Sequence, residues 1–257
     1  MSSDDLLNDH WVSRGYQQNF ASEGERVAVL DVGSGEIVDE GRPIASNFCE
    51  RGLTTLLQQG VPVDQPERAL ASIDPRVLDE IRTVRSDRRG PEQKADVARL
   101  FAVHLVLSPS FRTFHADVDE PVQLVEAMSD QLGVVTDLLE RFHLQIVELD
   151  EGLPGFALGD TPVLHIATRD HRFGFRDDLA VGDADLIAGP LTRTTAACFT
   201  AEELPDVRFG TRKRVDAWNA LFIRAAQAEV ACHPDDARGL RQTHSRLDRL
   251  PPSILIG

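Results

Sequence analysis

The sequence is short of lysine, tyrosine, tryptophan, methionine and cysteine. Lysine occurs only at Lys94 and Lys213, so arginine supplies almost all of the 27 basic residues. That bias follows a GC-rich coding composition, and no function is read into it. The three cysteines, Cys49, Cys198 and Cys232, are odd in number, widely spaced and without a Cys-x-x-Cys pair. This excludes the usual structural zinc spacing and a disulfide framework, and leaves buried free thiols as the expectation. No apolar run approaches the ~20 residues of a membrane-crossing helix. The start, Met1-Ser2-Ser3-Asp4-Asp5, lacks the basic and apolar segments of a secretory signal. A cytoplasmic location is expected. No Gly-x-Ser-x-Gly elbow is present, and no Gly-Lys-Ser or Gly-Lys-Thr follows Gly33-Ser34-Gly35, so neither the common serine hydrolase arrangement nor a phosphate loop is supported.

Positive charge is also in deficit. Against 27 basic residues stand 42 acidic ones, a net charge of -15. Nucleic acids and anionic membranes recruit proteins through clustered lysine and arginine, so this balance opposes both as partners. The apolar content, 42%, is that of a packed globule, and the length of 257 residues is compatible with a single domain spanning 1–257.

What is present alternates in character along the chain. Residues 4–21 carry Leu6, Leu7, Trp11, Val12, Tyr16 and Phe20 at roughly helical spacing, with the only tyrosine among them, and should dock on the core. Residues 26–40 read as a β-hairpin turning at Gly33-Ser34-Gly35. The part from about 44 to 142 is helical. Ser46 caps a helix running towards Gly60, Asp74-Pro75 opens another, Gly90-Pro91 opens a third with the stripe Val97, Leu100, Phe101, His104 and Leu105, and a long helix covers Asp119 to Phe142. From about 143 to 200 the chain breaks into short strands separated by Gly, Pro and Asp turns, as in an antiparallel meander. Helices close the chain between about 211 and 248, the first expected over 212–231 and the second over 234–247, and residues 251–257 end in an apolar tip. The expected class is therefore α+β, a helical block packed on a mainly antiparallel sheet.

Two polar features suggest a site: His10 with Asn19 in the aromatic opening segment, and the turn Gly159-Asp160-Thr161-Pro162 between two strands. Asp160, His165, Asp170 and His171 are close in sequence, but their spacing matches no metal template, so no metal and no cofactor are expected.

The order of these motifs resembles a prokaryotic family without assigned function, the domain of unknown function numbered 4238. Its opening His-Tyr-Val-Pro-like segment ending in Arg-Asn-Phe is matched by His10-Trp11-Val12-Ser13 and the run to Asn19-Phe20. Its Gln-x-x-Arg-Thr-Pro-x-x-Arg-like element is matched by His104 to Arg112, and its Ser-Asp-Asn-Pro-like turn by Gly159 to Pro162. Its Pro-Leu-Ser-like element is matched by Pro190-Leu191-Thr192, and the asparagine of its closing helix by Asn219. Departures are Ser13 for proline, His104 for glutamine, Leu107 for arginine, Gly159 for serine and Thr161 for asparagine. The family has no settled activity, and the first expectation is one enzyme-like polar site gathering these residues. His10 would be the general acid or base with Asp160 orienting it, and Arg112, Asn19, Asn219 and Thr161 would bind a small anionic, phosphorylated or nucleotide-like ligand. An alternative is a non-catalytic protein in which the same residues are struts and the partner is a basic protein surface. A nucleic-acid hydrolase acting in phage defence comes third, opposed by the net charge.

Overall fold

The computed structural model describes residues 8–51, 81–84, 90–114, 121–169, 172–174 and 179–249. The helix expected from Asp74-Pro75 lies almost wholly outside them, reaching only Ile81, and the apolar tip 251–257 lies wholly outside. The strands are β1 Asn8–His10, β2 Arg26–Asp31, β3 Ile37–Pro43, β4 Cys49–Arg51, β5 His143–Leu149, β6 Leu158–Gly159, β7 Leu164–Ala167, β8 Arg172–Phe173, β9 Leu186–Pro190, β10 Thr195–Thr200, β11 Val207–Phe209 and β12 Glu229–Cys232. The helices are α1 Arg14–Gln17, α2 Pro91–Val106, α3 Pro109–Phe114, α4 Pro121–Arg141, α5 Arg212–Ala225 and α6 Ala237–His244. The class is α+β, as expected.

Among the described residues the strands form two main sheets and a small ribbon rather than one meander. The six-stranded sheet runs β11-β5-β10-β9-β7-β8, antiparallel except where β11 lies parallel to β5. The four-stranded sheet runs β3-β2-β12-β6, and β1 pairs with β4 in the ribbon. The hairpin of β2 and β3 follows its turn chemistry. Asp31 accepts bonds from the Ser34 N–H and hydroxyl, both at 2.7 Å, and Gly35 takes the left-handed backbone that glycine tolerates, φ +72°.

Alternation along the strands sorts their side chains onto two faces. Leu144 and Ile146 of β5, Ile187 of β9, and Ala197 and Phe199 of β10 share one core with Val27 and Val29 of β2, Leu100, Phe101 and Leu105 of α2, and Val135 and Leu139 of α4. Tyr16 and Phe20 of the opening segment are buried in the same core. On the opposite face of the six-stranded sheet, Val147, Leu186, Ala188, Ala196 and Cys198 meet Val215, Trp218, Leu221 and Phe222 of α5. The four-stranded sheet presents Ala28, Leu30, Val230 and Cys232 to Ile223 of α5 and Leu240 of α6. Helix α5 therefore lies against both sheets.

Three expectations are corrected. The opening segment, read as roughly helical with a break near Gly15, is β1, the single turn α1 and a 3-10 turn, Gln18–Phe20. Ser46 caps no helix: it ends a 3-10 turn, Ile44–Ser46, and the chain is extended again at β4, after which the segment towards Gly60 lies outside the described residues. The helix expected over 212–231 stops at Ala225, Ala226 is extended, and β12 follows.

Candidate functional site

The opening segment is fastened to the six-stranded sheet by hydrogen bonds to backbone. The Tyr16 hydroxyl donates to the Pro190 carbonyl. Asn19 Nδ2 donates to the Leu191 carbonyl at 3.0 Å, and its own carbonyl accepts the Arg193 N–H at 3.1 Å. Asn19 Oδ1 accepts from Arg82 Nε at 2.5 Å. Gln17 and Asn47, both fully buried, form a clasp: Asn47 Nδ2 donates to Gln17 Oε1 at 2.9 Å, and Gln17 Nε2 donates to the Asn47 and Val12 carbonyls at 3.1 and 2.7 Å. Nothing in the spacing of Gln17 or Asn47 marks them in the sequence, because their partners come from distant turns. His10 lies in β1 opposite Cys49 of β4, with Nε2 3.2 Å from the Ala45 carbonyl.

Asp160 is buried just beyond β6. Its Oδ1 accepts the Gln227 N–H at 3.0 Å, and its Oδ2 accepts the Ala228 and Glu229 N–H groups at 2.7 and 3.1 Å. Those are the amides that a longer α5 would turn back onto its own carbonyls, so the carboxylate ends the helix and releases the chain into β12. Burial raises the Asp160 carboxyl above its ordinary value, and the three amides pull against that rise. Asn219, buried on α5, donates from Nδ2 to the Gly155 carbonyl at 3.0 Å and accepts the Ala157 N–H on Oδ1 at 2.9 Å, so it holds the strand entry leading to Asp160. The Thr161 and Ser110 hydroxyls are 2.8 Å apart, which sets α3, the helix carrying Arg112, beside the Asp160 turn. The structure thus brings the Asp160 turn, Asn219 and α3 into one neighbourhood, and gives His10 and Asn19 partners elsewhere.

The buried histidines are also committed. The His104 ring has Nδ1 2.9 Å from the Leu100 carbonyl and accepts the Ser13 N–H on Nε2 at 3.3 Å. Burial lowers its pKa to about 4 against the pull of the Leu100 carbonyl. His165 Nε2 lies 2.7 Å from the Leu179 carbonyl, and burial likewise lowers its pKa to about 4. Asp170 and His171 lie outside the described residues. Among the described residues no group of three His, Cys, Asp or Glu side chains could hold a metal ion. Cys198 and Cys232 are buried free thiols, and burial pushes Cys198 up to about 12, which keeps it protonated.

A depression of about 310 Å³ opens on the α5-facing side of the six-stranded sheet, at one end of its inner strands β5, β10 and β9. Gln145, Thr168, Asp185, Cys198, Thr200 and Glu202 line it. Sequence reasoning missed it because its members come from several strands and loops. The signal that was available is polar Gln145 and Thr200 at buried positions of strands whose central residues are apolar.

Among the described residues no helix is long and apolar enough to cross a membrane. No curated protein and no solved structure matches the chain. The model of a family described as "Protein of unknown function (DUF4238)" matches residues 8–236. With that match covering most of the 257 residues, the chain belongs to this family.

Proposed function

We propose that the chain works by binding rather than by catalysis, as an acidic interaction protein whose partner presents a basic protein surface. One observation carries this reading: the polar side chains that the family motifs supply spend their bonds on the protein itself. Both oxygens of Asp160 are held by three backbone N–H groups. Asn219 bridges a donor and an acceptor of one strand entry, and Asn19 does comparable work between Leu191 and Arg82. A general base needs an oxygen or nitrogen within reach of a substrate proton, and a carboxylate already taking three N–H bonds has little to offer. The net charge of -15 supplies the attraction.

The test is the binding of a synthetic arginine-rich peptide, followed by calorimetry as salt is raised. Surface attraction between opposite charges is screened over about 10 Å at 0.1 M salt, so the dissociation constant should rise at least about tenfold between low salt and physiological salt. Binding that ignores salt, or no binding at low salt, contradicts the reading. A second reading, a small anionic ligand held by Arg112, is favoured by the Ser110–Thr161 bond that places α3 at the Asp160 turn. A rise in melting temperature with inorganic phosphate or a nucleotide would support it over the first.

A further inference from the structure

We infer that the depression at the strand ends of the six-stranded sheet is a recognition pocket for a cationic group on an apolar stem, a guanidinium or alkylammonium. The inference rests on the binding reading above in taking a basic protein as the source of that group. It deepens that reading by naming where the cation sits.

The hydrogen-bond inventory of the lining decides the ligand's chemistry. The Thr168 hydroxyl spends its proton on Asp185 Oδ2 at 2.6 Å. The Thr200 hydroxyl spends its proton on the Glu202 carbonyl at 2.7 Å. Gln145 donates from Nε2 to the Pro205 carbonyl at 2.5 Å. A hydroxyl has one proton and two lone pairs, so both threonines have only acceptor capacity left, and the Gln145 Oε1 adds another acceptor. The Asp185 and Glu202 carboxylates accept only. Against these, the side chains of the lining offer one strong donor, Arg169, which is exposed, the second N–H of Gln145 Nε2, and the protonated thiol of Cys198. The formal charge of the lining is two carboxylates to one guanidinium. A ligand entering must therefore bring hydrogen-bond donors and positive charge. An anion would meet one cation and several lone pairs.

Shape agrees with charge. Leu186, Cys198 and Leu204 give the pocket apolar surface, on which the methylene stem of arginine or lysine can lie while its head meets oxygen. The volume of about 310 Å³ sits at the lower end of small-molecule sites, room for one such side chain. Asp185 is steady because it also accepts the Thr168 N–H, at 3.0 Å to Oδ1, so the site costs little ordering when a ligand arrives.

The test uses the full chain, two cationic probes with inorganic phosphate as the anionic control, and two charge-reversal variants. Agmatine, a free alkylguanidinium, is titrated by ¹H–¹⁵N NMR, and the arginine-rich peptide is titrated by calorimetry. Glu202→Lys reverses an exposed lining residue, and Glu203→Lys makes the same change in net charge at an exposed neighbour outside the lining. The expected result is saturable agmatine shifts at Gln145, Thr168, Cys198 and Thr200, with Glu202→Lys weakening both probes about tenfold and Glu203→Lys about twofold or less. Agmatine shifts at these residues without peptide binding would uphold the pocket and remove the protein as its source. Peptide binding weakened equally by the two variants, with no agmatine shifts at the lining, would overturn the pocket and leave the acidic-binder reading standing. Shifts with phosphate but not agmatine would overturn the pocket's assigned chemistry.

Discussion

Ser13 donates its backbone N–H to His104 Nε2, and the two are positions at which the resemblance drawn from the sequence set proline and glutamine. Proline has no N–H to give. The backbone at Ser13, φ -55° and ψ 141°, is one that proline adopts, so what separates the two residues here is the hydrogen bond and the cap that the Ser13 hydroxyl gives to the Tyr16 N–H. Ser13→Pro should destabilise the chain by about 1–2 kcal/mol, by leaving the buried Nε2 without its donor. In the His104→Gln background the same substitution should cost less, so a double-mutant cycle on urea unfolding should give a non-additive pair. Purely additive costs would contradict the coupling. His104→Gln also bears on pH. The native imidazole titrates at about 4 and the unfolded one near 6.5, so the unfolded state binds a proton first as pH falls. The stability that neutral His104 contributes is whole above about 6.5 and is lost progressively down to about 4, on the order of 3 kcal/mol at the limit. His165 behaves in the same sense. Stability measured between pH 7 and 4 should fall less steeply in His104→Gln than in the natural chain, and an unchanged acid limb would show that His104 is not the titrating group.

At the scale of elements, the docking of α6 on the β2–β3 hairpin shows which contacts matter. The Arg241–Glu36 pair joins them at 2.7 Å, but both side chains are more than half exposed, at 57% and 56%, and such pairs contribute about 1 kcal/mol or less. The tighter constraint is Gly35. A Cβ there would come within 2.4 Å of the His244 ring, whose Nε2 lies 2.9 Å from the Val32 carbonyl. Gly35→Ala combines that clash with a positive φ and should cost about 2 kcal/mol or more, whereas Glu36→Gln should cost under about 1 kcal/mol; thermal unfolding of the two variants checks the order. The same hairpin was legible in the sequence, because Gly33-Ser34-Gly35 between the apolar runs Val27–Leu30 and Ile37-Val38 is a local signal. Helices α2 and α4 and strand β5 were legible for a similar reason, each being long enough for its period to stand out. The stop of α5 was not. Ala225 to Glu229 is helix-favouring sequence without glycine or proline, and what turns it into strand is the Asp160 carboxylate, 67 positions away in its bond to Gln227, together with the pairing of β12 on β2. The candidate site was legible only as a set of residue types. Asp160, Asn219 and Thr161 do lie in one neighbourhood. Their partners, however, are backbone groups and a serine hydroxyl, and backbone partners leave no trace in a list of side chains.

For the whole molecule, the two sheets and α5 depend on the same few polar bonds. Asn219 on α5 anchors the 155–157 strand entry, Asp160 turns the end of α5 into β12, and β12 completes the sheet that carries β2 and β6. Breaking that chain of bonds at Asp160 should therefore weaken the fold globally. The net charge of -15 adds self-repulsion, so salt is expected to steady the folded chain while it weakens capture of a basic partner. The central claim, that the motif side chains hold the fold together rather than act on a substrate, is tested most directly by equilibrium urea unfolding of Asp160→Asn. Loss of the charge relieves its burial, but the amide NH2 then faces backbone N–H groups that need an acceptor. The account predicts a lower midpoint at unchanged slope, a loss of about 2–3 kcal/mol. A midpoint equal to that of the natural chain would contradict it, because it would mean that the carboxylate is not needed by the fold.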